Sequence, residues 1–162
     1  MKTLQTGFWA GILANGPMTM ALFRLQKDLP IAPSSPLPPA KLTTDISEPV
    51  TKHISSNRRV DLMLLSHFAY SISCAVVYTW GARKVKNKSP LVKGACFGLG
   101  VWSLSYLGWI PALSSRASAP KSSPSKNLQM ILAHLVWGTS LAYAVDELTK
   151  SGNQMLDGRQ VK

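Results

Sequence analysis

Charged side chains all but vanish from four stretches of this chain. Residues 3–23, 62–80, 91–113 and 127–145 contain no Asp, Glu, Arg or Lys except Lys93, which stands close to one end of its stretch. At a rise of ~1.5 Å per residue, roughly 20 residues cross a ~30 Å hydrocarbon core. A soluble core helix would carry charge on its outward face. The pattern therefore predicts an all-α fold, a four-helix transmembrane bundle with helices over about 3–23, 62–80, 91–113 and 127–147. The membrane domain is expected to occupy residues 1–150, with a Pro-rich loop at 24–61 and a polar C-terminal tail at 151–162.

The connections read differently. Residues 30–39 hold five prolines, which lack the amide donor and fix φ, so this segment is expected to be extended. Residues 40–54 are expected to form a short helix at the membrane surface, interrupted at Pro49. Asp61 is a candidate N-cap for the second helix. Ser89-Pro90 opens the third, because proline suits a first helical turn. Gly16-Pro17 should bend the first helix and free a carbonyl.

The helices also match in pairs. Gly7-x-x-x-Gly11 in the first and Gly94-x-x-x-Gly98 in the third each let backbones approach closely in lipid. His67 and His134 stand in similar settings in the second and fourth. Two like helical hairpins in a parallel pseudo-repeat, related by an axis along the membrane normal, would account for both pairs. In the third helix Gly94, Gly98, Val101, Ser105 and Gly108 fall on one face, a predicted packing seam. His67, Ser71, Cys74 and Tyr78 form a polar stripe expected to face the bundle interior.

Composition alone would mislead. Hydrophobic residues make up 46% of the 162, an ordinary value, and only their clustering points to membrane. The net charge is +11, and the densest basic run is residues 83–88. No nucleic-acid fold or aromatic stacking motif accompanies it, so no nucleic-acid partner is expected; anionic lipid headgroups fit the flanks better. Basic residues tie at nine on each side of the expected membrane. The short acid-free middle loop favours cytoplasmic termini. Lys2 ahead of an apolar run imitates a signal peptide, but no small-x-small site follows, so an uncleaved span is expected. Cys74 and Cys96 are read as packing thiols.

The histidines are the candidate chemistry, because an ionisable group inside a bilayer is costly. Both lie about 8–10 Å into their spans on parallel helices, beside Gly16 and Gly108. Three uses compete. A neutral imidazole can bond a serine, tyrosine or carbonyl and fasten helices. The pair can line a polar cavity or proton path with Asn15 and Tyr70. Or His67 and His134 can ligate a haem b. No metal ligand set, nucleophile elbow, P-loop or His-Glu-x-x-His is present, so no enzyme is expected.

Residues 37–39 (Leu-Pro-Pro), Gly94, Gly98, Trp102, Gly108, Trp109 and Pro111, and the run His134-Leu135-Val136-Trp137-Gly138 together resemble the YagU-like group of small, uncharacterised bacterial inner-membrane proteins. The resemblance covers about residues 5–148 and implies a four-helix integral membrane protein of the inner membrane without an established activity. The expectation is thus a multi-pass membrane protein of structural or accessory type, in contact with the bilayer and with a homo-oligomeric or membrane-complex partner.

Overall fold

A computed structural model describes residues 3–30, 56–85, 88–113 and 122–156. All regular structure in these residues is helical. Helix α1 spans Thr3–Asp28, α2 Ser56–Ala82 and α3 Pro90–Ser103. The third helix continues through a π-helical segment, Leu104–Trp109, into a last α turn, Ile110–Leu113. Helix α4 spans Pro124–Leu156. The expected surface helix at 40–54 and the proline run at 31–39 lie outside the described residues, as do residues 114–121 of the third loop.

The helices outrun their apolar windows, and local ion pairs show how. Arg24 and Asp28 pair at 3.1 Å at the end of α1, and Lys150 pairs with Asp146 at 2.7 Å near the end of α4, both four residues apart. Such spacing supports a polar helical turn that apolar periodicity cannot reveal. Part of the expected tail, up to Leu156, therefore belongs to α4. Asp61 lies inside α2 and does not cap it, since α2 starts at Ser56. Ser89 does cap α3: its Oγ accepts the Val92 amide at 3.4 Å, ahead of Pro90. Ser123 and Pro124 repeat this start at α4, where Ser123 Oγ accepts the Lys126 amide at 3.4 Å. Pro17 sits within α1, which runs on through it.

Small residues bring the helices together along three seams. Helix α1 packs against both α2 and α4, and α3 packs against α4. A Cβ placed on Gly94, Gly98 or Gly138 would lie under 3.0 Å from backbone atoms of the facing helix. A Cβ on Gly7 would come 2.7 Å from Val76 Cα, and one on Gly11 would come 3.0 Å from Ile72 Cα. Each Gly-x-x-x-Gly thus lies on the second helix of its own hairpin. Ala10, Ala14, Ala75, Ala133 and Ala142 continue these seams in the core.

The fourth side, between α2 and α3, is filled by large side chains. There Tyr78 packs on Phe97 with ring centroids 5.0 Å apart, and Phe97 stacks on Trp137 at 6.1 Å. Tyr70 packs on Trp109 at 5.7 Å. Large apolar side chains also cover the outside, among them Phe8, Trp9, Leu13 and Met20 on α1 and Leu65, Val77 and Trp80 on α2. Leu99, Leu104 and Leu107 do so on the third helix. Of the four expected spans, one helix among the described residues, α4 over Pro124–Asn153, is long and apolar enough to cross a membrane; the described parts of α1, α2 and the third helix do not reach that measure.

Candidate functional site

His134 is buried at the α3–α4 seam, 8% exposed. Its Nδ1 lies 2.7 Å from the carbonyl of Met130, one turn earlier in α4. A carbonyl only accepts, so Nδ1 carries the proton and Nε2 of the neutral ring keeps its lone pair. Tyr106 stands edge-on to the imidazole, centroids 5.9 Å apart at 87°. The His134 carbonyl itself faces Gly98. The residue therefore serves the seam with its backbone and the interior with its ring.

His67 is half-buried on α2, and its ring makes no hydrogen bond among the described residues. Helices α2 and α4 are tied by the indole of Trp137, whose Nε1 donates to Ser71 Oγ at 3.0 Å. One turn before Ser71 is His67, and one turn before Trp137 is Ala133, next to His134. The two imidazoles are thus at matched levels on α2 and α4.

The other polar residues singled out from the sequence gather at neighbouring levels. Asn15 is 3% exposed; its Nδ2 donates to the Gly11 carbonyl at 2.8 Å, while Oδ1 has no hydrogen-bond partner. The Tyr70 hydroxyl and Ser105 Oγ share a hydrogen bond at 2.9 Å that links α2 to the π segment. Gly94 and Gly98 are buried in the α3–α4 seam. Gly108 is not: it is exposed, and a Cβ there would meet only Leu104 of its own helix, at 3.6 Å. The π segment explains the difference. Its i→i+5 pairing, seen from the Ile110 amide to the Ser105 carbonyl, inserts a residue and turns Gly108 off the face set by Gly94 and Gly98. Gly16 is likewise exposed, with open space where a Cβ would stand.

Two interior groups were not singled out from the sequence. Gln129 is fully buried; its Nε2 donates to the Leu22 carbonyl at 3.1 Å and its Oε1 has no partner. Its signal was present, as an amide in a charge-free window. Tyr106 is buried, stacks on Trp102 at 6.2 Å and donates its hydroxyl to Met130 Sδ at 3.4 Å. The indole nitrogen of Trp102 is buried without a partner. A buried polar atom left unpaired costs about 1–3 kcal/mol, so these are expensive groups.

Among the described residues no group of three or more His, Cys, Asp or Glu is placed to hold a metal ion. Cys74 is half-buried and Cys96 exposed, both as free thiols. A haem between α2 and α4 would have to displace Trp137, which fills that space and bridges to Ser71.

Residues 29–143 match the model of a family described as protein of unknown function (DUF1440). No curated protein and no solved structure matches the chain.

Proposed function

The chain belongs to the DUF1440 family of proteins of unknown function, and we propose that it is an integral membrane protein of structural or accessory type, built as a four-helix transmembrane bundle. Within that family it resembles the YagU-like inner-membrane group. The observation that carries this reading is the distribution of side chains. Thr6, Asn15, Ser71, Thr79, Ser105, Gln129 and His134 are buried, whereas Met20, Phe23, Leu65, Leu104 and Trp80 are exposed. Water would favour the opposite arrangement. Lipid favours this one, because small and polar residues join helices there while apolar side chains meet the acyl chains.

The helix seams support a parallel pseudo-repeat of two hairpins. Gly11 lies on Ile72 and Ala75, and Gly98 on His134 and Gly138. In this register His134 corresponds to Ser71 and Ile72, about one turn beyond His67. The hairpins are thus offset by a turn, and the histidines align across the bundle and not within the repeat. His134 serves the α3–α4 seam with its backbone at Gly98, while its ring is held by the Met130 carbonyl of its own helix rather than performing chemistry, and the protein is no enzyme. The protein works by assembling, with itself or with a larger complex of the cell membrane.

Alkaline carbonate extraction of membranes tests the reading. The chain should stay in the pellet; release into the supernatant would refute an integral bundle. Detergent-purified chain should also run as an oligomer or carry partner proteins, and a lone monomer in both mild detergent and native membranes would refute the accessory role.

Three unbonded polar groups favour a second reading, a polar core for a small solute or protons. His134 Nε2 has a free lone pair, the His67 ring is unbonded, and the Asn15 Oδ1 is unpartnered. All three lie inside the bundle. This reading predicts proton flux in liposomes that His67→Ala abolishes, and flux equal to that of empty liposomes would exclude it. A Soret band in the purified protein, lost in His67→Ala or His134→Ala, would instead assign the pair to haem b.

A further inference from the structure

Where α2 ends and α3 begins, a cleft of about 130 Å³ opens against the C-terminal part of α4. Tyr78, Thr79, Arg83, Pro90, Lys93 and Asp146 are among the residues that line it. It lies at the end of the bundle away from the histidines, which face the first and third loops.

Three features give this cleft a charge preference. Arg83 and Lys93 make no ion pair among the described residues. The single carboxylate in the lining, Asp146, is already held by Lys150 at 2.7 Å. Pro90 marks the N-terminus of α3, where the aligned peptide dipoles present partial positive charge. The cleft therefore carries two uncompensated cations and a helix end of the same sign.

Tyr78 points to what is bound. It is 5% exposed, its ring is locked against Phe97, and it lines the cleft, yet its hydroxyl makes no hydrogen bond among the described residues. The Thr79 hydroxyl, by contrast, already donates to the Ala75 carbonyl at 2.7 Å. A fixed phenol donor beside a guanidinium and an ammonium suits a group with several anionic oxygens, because such charge-assisted bonds are short and strong.

We propose that this cleft binds a phosphate group through Tyr78, Arg83 and Lys93, and that the group is the phosphodiester of an anionic phospholipid. The level of the cleft favours the lipid as source. Trp80 is 61% exposed beside it, with Lys84 Nζ 3.8 Å above the ring centroid, the pairing found where a helix leaves the hydrocarbon for the headgroups. The choice of lipid rests on the membrane reading above; the phosphate chemistry does not.

The test is native mass spectrometry of the full chain in detergent, titrated with phosphatidylglycerol, with phosphatidylcholine and with inorganic phosphate. Phosphatidylglycerol should bind about tenfold more tightly than phosphatidylcholine, and Arg83→Gln with Lys93→Gln should remove that difference. Tyr78→Phe, which keeps the ring packing, should weaken binding severalfold. Displacement of the lipid by inorganic phosphate at equal concentration would keep the site but assign it to a soluble phosphate. Unchanged binding in both the Arg83/Lys93 and Tyr78 variants would overturn the proposal. The carbonate experiment separates the two ideas: a chain released by carbonate that still binds phosphate, with loss in the variants, would remove the membrane reading and leave the site.

Discussion

One methyl group separates tolerated from forbidden positions on these helices. Gly98→Ala puts a Cβ into the His134 carbonyl, and neither backbone can yield without opening the α3–α4 seam. Overpacking of this kind costs about 1–3 kcal/mol. Gly100 is two residues away and faces open space. Gly100→Ala should leave stability unchanged or raise it by up to ~1 kcal/mol, since alanine loses less backbone entropy in a helix. Thermal unfolding in detergent, followed by circular dichroism, reads both. Equal melting temperatures for the two variants would mean that the seam does not hold the bundle. Ser71→Ala makes a second residue-level prediction. It strands the buried Trp137 N–H, which has no other partner, at a cost of about 1–3 kcal/mol. Trp137→Phe in the Ser71→Ala background should add little to that loss beyond its change in packing, and full additivity of the two would deny the bond.

At the scale of the element, the π segment sets the geometry of the third helix. It acts as a one-residue insertion, so removing one exposed residue from it restores α-helical phase and leaves Ile110–Leu113 in place. Deletion of Leu107, which is exposed, should therefore leave the bundle folded, with its near-ultraviolet circular dichroism little changed. Deletion of Val136 from the regular helix α4 should unfold it, because every later side chain turns by ~100°. If the two deletions are equally damaging, the π segment is not an insertion. The same feature marks where the sequence stopped being readable. Steps of three and four placed Gly94 and Gly98 correctly on one face, because α3 is regular there. They failed at Gly108, because a 3.6-residue period was carried across a segment that does not have it. Ser89-Pro90 was legible as a helix start because its signal is local, and Asp61 misled because Arg58, Arg59 and Asp61 imitate a polar boundary inside α2. Gln129 and Tyr106 became visible only in three dimensions. Which face of a uniformly apolar helix turns inward depends on its neighbours, and the packing of α1 on α4 is a contact between the two ends of the chain.

Taken as a whole molecule, the bundle buries small, polar and aromatic side chains together and leaves many large apolar ones on its outside. Three seams of glycine and alanine draw α2, α1, α4 and α3 together, and aromatic rings fill the fourth side. The histidines belong to this construction: one is bonded to its own helix, and both lie at one depth inside it. The outer surface carries the central claim, and two tryptophans report on it. Trp9 is exposed and Trp137 is 3% exposed in the core. The most direct measurement is fluorescence quenching by lipids with brominated acyl chains, on reconstituted variants that keep only Trp9 or only Trp137. Trp9 should be strongly quenched and Trp137 little. Equal quenching of the two, or a Trp9 shielded from the bromines, would contradict the central claim.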